Sequence, residues 1–120
     1  MNDTFRAGLA LFNAREFFDC HDVWEGLWME TQGPDRLFYQ GMIQVAVGYY
    51  HAGNGNFKGA ESQFSKALPK LTAYLPAHGG ISLEGLLPIF ASHKTAFETL
   101  KHHDGASFNT ADIPIIPMHA

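Results

Sequence analysis

Apolar residues recur along this chain at the three- and four-residue spacing of helix faces, and nowhere alternate for long enough to make a substantial strand. Phe5, Leu9 and Phe12 share one face and predict a first helix over about 4–13, with Asn2, Asp3 or Thr4 able to cap it. After a break at 14–16, a second helix over about 17–31 ends before Gly33-Pro34, a strong stop. A third starts at Pro34 or Asp35 and closes in the run Gly53-Asn54-Gly55-Asn56, whose residues suit a left-handed cap. A fourth, over about 57–74, sets Ala60, Phe64, Ala67, Leu68, Leu71 and Leu75 on one side. Pro69 lacks the N–H that the helical ladder needs and predicts a kink or break near 65–68. A loop over 76–80 precedes a fifth helical region, which Ser82 can cap and Ile81 and Leu86 can staple. Pro88 is expected to split that region before it ends near Lys101 or His102. The pattern is all-α, a compact bundle of about five helices over 1–103. It is followed over 104–120 by an extended, Pro-containing tail with Ile113, Ile115, Ile116 and Met118, expected either docked on the bundle or disordered.

Short connections make consecutive helices antiparallel neighbours. At an offset of 40 residues the chain aligns with itself: Gly8 with Gly48, Phe17 with Phe57, Cys20 with Ala60, Trp24 with Phe64, Leu27 with Ala67 and Trp28 with Leu68. Two related helical hairpins are expected. The second has the small residues and groove-filling aromatic of a tetratricopeptide-like unit at Gly48, Ala60, Phe64 and Ala67.

Composition narrows the function classes. Hydrophobic residues are 46% of the 120 and charged residues 17%, so the chain folds and leaves uncharged surface on which a homo-oligomer or a protein partner could form. A net charge of -4 offers no basic field for nucleic acid. The single Cys20 excludes an intramolecular disulfide and a four-cysteine zinc site, and suits a reducing cytoplasm. The N-terminus lacks a secretory pattern, and the apolar stretch 37–57 carries two glutamines, a histidine and four glycines, too polar to insert in a membrane.

The candidate chemistry lies on the second and third helices. On a helical wheel of ~100° per residue His21 falls among Phe17, Trp24 and Trp28, with Glu25 one turn on, while Arg36, Gln40, Gln44, Val47 and His51 share a stripe of the third helix. Mutual pairing is the cheapest way to bury such stripes: Glu25 with Arg36 or Gln40, His21 with Gln44 or His51. Three readings follow. A buried His-Glu-Arg-Gln network fixes helix register in a non-catalytic binding module, and Glu25→Ala then strands Arg36 at a cost of about 3 kcal/mol. Alternatively His21, Glu25 and His51 hold a divalent ion such as zinc, with Asp22 about 100° around the helix from His21, and the ion activates water for hydrolysis. Or Arg36, Gln40 and His51 line an anion or small-molecule pocket. The fixed charge of Arg36 beside the stripe favours no metal, and no cofactor is expected. The Gly-Asn run at 53–56 reads as a turn, His102-His103 as a helix end, and Cys20 as a packing residue.

The motif H-D-V-W-E at 21–25, followed by Arg36, Phe38, Gln40, Gly41, Ile43, Gln44, Ala46, Tyr50 and His51, then Gly55-Asn56, Gly59-Ala60, Ala67-Leu68 and Leu71, resembles a family of small helical proteins. It is the domain-of-unknown-function family three-zero-nine, and the likeness covers roughly residues 5–90. The resemblance implies a helical bundle with tetratricopeptide-like hairpins. It also implies the label of a predicted metal-dependent hydrolase, whose site would map onto His21, Asp22 and Glu25, with His51 nearby. Where the family motif has glutamate after the histidine, this chain has Asp22.

Overall fold

The computed structural model describes residues 2–117, and its helices follow the periodicity closely: α1 Asp3–Asn13, α2 Phe17–Glu30, α3 Asp35–Gly53, α4 Phe57–Thr72 and α5 Leu83–Leu100. Each helix packs on the next in sequence, α1 on α2, α2 on α3, α3 on α4 and α4 on α5. The Asn2 side chain accepts from the N–H groups of Thr4 and Phe5 at the start of α1, and Asn56 does the same for Gly59 on α4.

The internal offset of 40 is a packing repeat. A methyl group at Gly8 would sit 1.9 Å from Trp24 Nε1, and one at Gly48 would sit 2.5 Å from the Phe64 ring. In each hairpin a bare helix backbone therefore receives the large aromatic found 16 residues later. Cys20 and its counterpart Ala60 are both fully buried, as are Trp24 and Phe64. The aromatic core runs through both hairpins, with Tyr49 at its centre touching Phe12, Phe17, Phe64, Phe90 and Phe97.

Neither proline break occurs. Pro69 lies inside α4 and Pro88 inside α5, and both helices continue through them. The carbonyls that lose a helical donor belong to Ser65 and Glu84, four residues earlier, and both residues are exposed, so water can replace the missing bond. The expected loop at 76–80 is instead a small antiparallel hairpin, β1 Ala77–His78 and β2 Ile81–Ser82. Its two-residue turn, Gly79-Gly80, has φ of +61° and +83°, values open to glycine and needed for a tight hairpin. Ser82 stands at the start of α5 but makes no side-chain cap bond. His78 leans from the hairpin onto Phe38 and Tyr74 and lies 2.7 Å from Asp35 Oδ1.

Beyond α5 the chain crosses back over the bundle. A short 3-10 turn, Thr110–Asp112, leads to Ile113 and Ile116, both buried. Met118 lies outside the described residues.

Candidate functional site: the α2/α3 face

Helices α2 and α3 expose one long face between them, and His21, Glu25, Gln40, Gln44 and His51 line clefts along it. At one end is a cleft of ≈ 190 Å³ lined by Phe17, Phe18, His21, Val47, Tyr50 and His51. The Phe18 and Tyr50 rings lie 5.6 Å apart and are 54% and 40% exposed, an unusual cost for two large aromatics in a chain with so full a core. Further along is a second cleft of ≈ 150 Å³ lined by Glu25, Trp28, Gln40, Ile43 and Gln44.

The single buried network is therefore corrected to two open clefts. Among the described residues no charged side chain and no His, Asn or Gln is buried. Glu25 is 49% exposed and its Oε2 lies 2.9 Å from His21 Nε2, one helical turn back. It does not pair with Arg36. The Arg36 guanidinium sits in the first turn of α3, beside the connection from α2. There it donates to the carbonyl oxygens of Trp28, at 2.9 Å, and Thr31, at 3.0 Å, and stacks over the Trp28 ring at 4.2 Å. Those carbonyls lie at the C-terminal end of α2, where that of Trp28 also takes the Thr31 N–H in a 3-10-type bond, and they hold the guanidinium in place of a carboxylate further up the helix. Removing Glu25 therefore breaks an exposed pair, a matter of about 0–1 kcal/mol, and strands no arginine.

The remaining residues find separate partners. Gln44 accepts from Lys70 Nζ of α4 at 3.1 Å. His51 Nδ1 lies 3.4 Å from the Asn56 amide, not against His21. Gln40 lines the second cleft beside the indole of Trp28, whose N–H is buried without a partner. Asp22, expected to point elsewhere, has Oδ1 3.4 Å from His21 Nδ1, so carboxylates face both ring nitrogens of that histidine. Among the described residues no three His, Cys, Asp or Glu side chains converge as a metal-holding group.

Two features of the face were missed from the sequence. Asp22 and Glu25 of the face belong to a run of six of the chain's twelve acids, Glu16, Asp19, Asp22, Glu25, Glu30 and Asp35, which no lysine or arginine interrupts, although Asp35 turns to His78. The exposure of Phe18 and Tyr50 was also missed. A helical wheel places Phe18 about 100° from Phe17, on the flank of the buried face, which is the signal that could have found it.

Behind the face the core is tightly tuned. The Tyr49 hydroxyl lies 2.7 Å from His93 Nδ1. Burial pushes the Tyr49 phenol above its ordinary value and the Cys20 thiol likewise, which makes Cys20 a packing residue rather than a nucleophile. Burial also lowers the His93 pKa from 6.5, partly offset by Asp112. The unfolded chain then takes up the extra proton as pH falls, so this contribution to stability is present above the unfolded value and lost on acidification. Urea midpoints are expected to drop between about pH 7.5 and about 5.5, and to drop less in His93→Gln. Equal drops in the two proteins would show that His93 titrates alike folded and unfolded.

Comparison with known proteins gives the face a lineage without a function. Residues 5–63 match the family described as Domain of unknown function (DUF309). The Uncharacterized protein YpuF of Bacillus subtilis (strain 168) is 33% identical over 60 residues, which are 49% of this chain and 34% of that protein. The chain thus spans about a third of that relative's length. Among the described residues no helix is long and apolar enough to cross a membrane. The stretch that matches the family Domain of unknown function (DUF309), residues 5–63, contains all of α2 and α3.

Proposed function

We propose that this chain is a non-catalytic binding module whose α2/α3 face takes up a cationic amphipathic helix of a partner protein. One observation carries the reading: the Phe18–Tyr50 pair stands open over an apolar cleft whose lining residue His21 is flanked by two carboxylates, Asp22 62% and Glu25 49% exposed. Exposed aromatics over a pocket are what anchor a partner side chain, and the exposed carboxylates beside His21 favour the opposite charge at that end of the face. The groove between two packed helices suits a third helix, read through apolar anchors one turn apart. A second copy fits less well, because two such faces would bring like-charged carboxylates together. The single buried Cys20 suits a reducing compartment such as the cytoplasm.

The alternative is a metal-dependent hydrolase using His21, Glu25 and His51. It has in its favour that His21 and His51 line the same cleft. The pairing of His21 with two carboxylates, and of His51 with Asn56, favours the binding reading. Two measurements separate them. Elemental analysis after chelator-free purification is expected to find much less than one equivalent of zinc or another transition ion. Binding of a fluorescent Lys/Leu amphipathic peptide is expected to weaken about tenfold in Asp22→Lys/Glu25→Lys, and the loss to shrink at high salt. Stoichiometric zinc lost in His21→Ala, or peptide affinity indifferent to the charge reversal, would overturn the proposal.

A further inference from the structure

The C-terminal tail is held less like a flap of core than like a bound peptide. The Asn13 side chain pairs with the backbone of Ile116 at two points: its Nδ2 donates to the Ile116 carbonyl at 2.9 Å, and its Oδ1 accepts from the Ile116 N–H at 2.8 Å. One amide reading both polar groups of one residue is how an isolated extended strand is recognised without a neighbouring strand. Three residues earlier the Arg15 guanidinium donates to the Ile113 carbonyl. Between these anchors Ile113 and Ile116 are 2% and 1% exposed, while Ile115 is 58% exposed and Pro114 fixes the extended backbone. Upstream, Phe108 lies against Phe97, His93 and Tyr49.

The receptor is built from residues of the bundle. Asn13 ends α1, and Arg15 lies in the α1–α2 turn with φ of +67°, a left-handed conformation that a non-glycine residue adopts at a cost of order 1–2 kcal/mol. Its second guanidinium nitrogen, Nη1, is buried with no partner, an unspent donor beside the bound segment. Both residues lie inside the family-matched stretch 5–63, whereas the tail lies outside it.

We propose that the groove at the α1–α2 turn is a peptide-binding site for an extended Ile-Pro-x-Ile segment, that the tail is its tethered occupant, and that the tail of a second copy can take its place. The recognition is of backbone and of two apolar side chains three residues apart, so nothing in it requires the segment to come from the same chain. Tethering favours the chain's own tail, since a short linker gives an effective concentration in the millimolar range. Opening the groove should therefore be the condition for trans binding. The α2/α3 face is not needed for this inference.

The test uses the full chain with Ile113→Asp and Ile116→Asp, which removes both apolar anchors of the tethered tail, and a fluorescein-labelled peptide of residues 106–117. Saturable anisotropy is expected with this variant and, because the intact tail competes, affinity lower by about tenfold or more with the wild-type chain. Adding Asn13→Ala to the opened variant should weaken binding by about tenfold, through loss of two hydrogen bonds. No saturable binding, or binding indifferent to Asn13→Ala, would overturn the proposal. Hydrogen exchange in the wild-type chain provides a second measure that needs no variant to fold. A tethered ligand releases the Ile116 N–H without unfolding the bundle, so this amide should exchange about a hundredfold or more faster than that of Phe64. Equal exchange at the two positions would make the tail an integral part of the core and equally overturn the proposal.

Discussion

Trp24→Ala is expected to destabilise the fold by about 3–5 kcal/mol, among the largest effects of any single truncation in the chain. Trp24 is fully buried, stacks on Phe5 with ring centroids 5.2 Å apart, and donates from Nε1 to the Phe5 carbonyl at 3.1 Å. It fills the space that Gly8 leaves bare, so its removal opens a cavity between α1 and α2 that the rigid helix backbones cannot close. Urea denaturation followed by circular dichroism checks the value, and Trp24→Phe should lose clearly less. A loss in Trp24→Ala below about 1 kcal/mol would mean that α1 does not depend on this contact. The consequence reaches the site, because Trp24 adjoins Glu25 and sets the rotation of α2 that turns His21 and Glu25 toward the clefts.

Gly48→Ala should cost about 1–3 kcal/mol even though alanine is the better helix former by about 1 kcal/mol. The added methyl would lie 2.5 Å from Phe64, and Phe64 cannot retreat, because Tyr49, Phe90 and Phe97 enclose it. Combining Gly48→Ala with Phe64→Leu should show a coupling of about 0.5–3 kcal/mol in a double-mutant cycle, since the smaller side chain frees the space that the methyl needs. Strict additivity would contradict the close approach. By the same logic Gly8→Ala should conflict with Trp24, the matching pair of the first hairpin.

The hairpin repeat was legible in the sequence because it rests on residue size. Gly8 with Trp24 and Gly48 with Phe64 keep the same 16-residue spacing at an offset of 40, and the offset comparison aligns both members of the two pairs. The helix boundaries were legible for a similar local reason, the stops at Gly33-Pro34 and at 53–56. A break at Pro69 and a split at Pro88 do not occur, because water can replace the lost hydrogen bonds at exposed Ser65 and Glu84, and that exposure depends on packing. The residues of the site were found, but not their pairing. Helical-wheel angles place His21, Glu25, Arg36, Gln40 and Gln44 on facing stripes without fixing height along the axes or how far the stripes stand open. Arg36 illustrates the gap: the Trp28 and Thr31 carbonyls at the end of α2 take its guanidinium in place of Glu25. The acidic run from 16 to 35 was readable without any structure. What it means emerges only beside Phe18 and Tyr50, whose exposure follows from the absence of a further helix over α2 and α3 among the described residues.

The central claim is that the open α2/α3 face binds a cationic amphipathic helix, and amide chemical-shift mapping tests it most directly. With the isotope-labelled full chain and the Lys/Leu peptide, saturable shifts are expected for Phe18, His21, Val47, Tyr50 and His51, extending to Glu25 and Gln44. The same titration of Phe18→Ser/Tyr50→Ser, which alters two exposed side chains and should leave the fold intact, is expected to lose saturation. Shifts confined to α4 and α5, or an undiminished response in the double variant, would contradict the account.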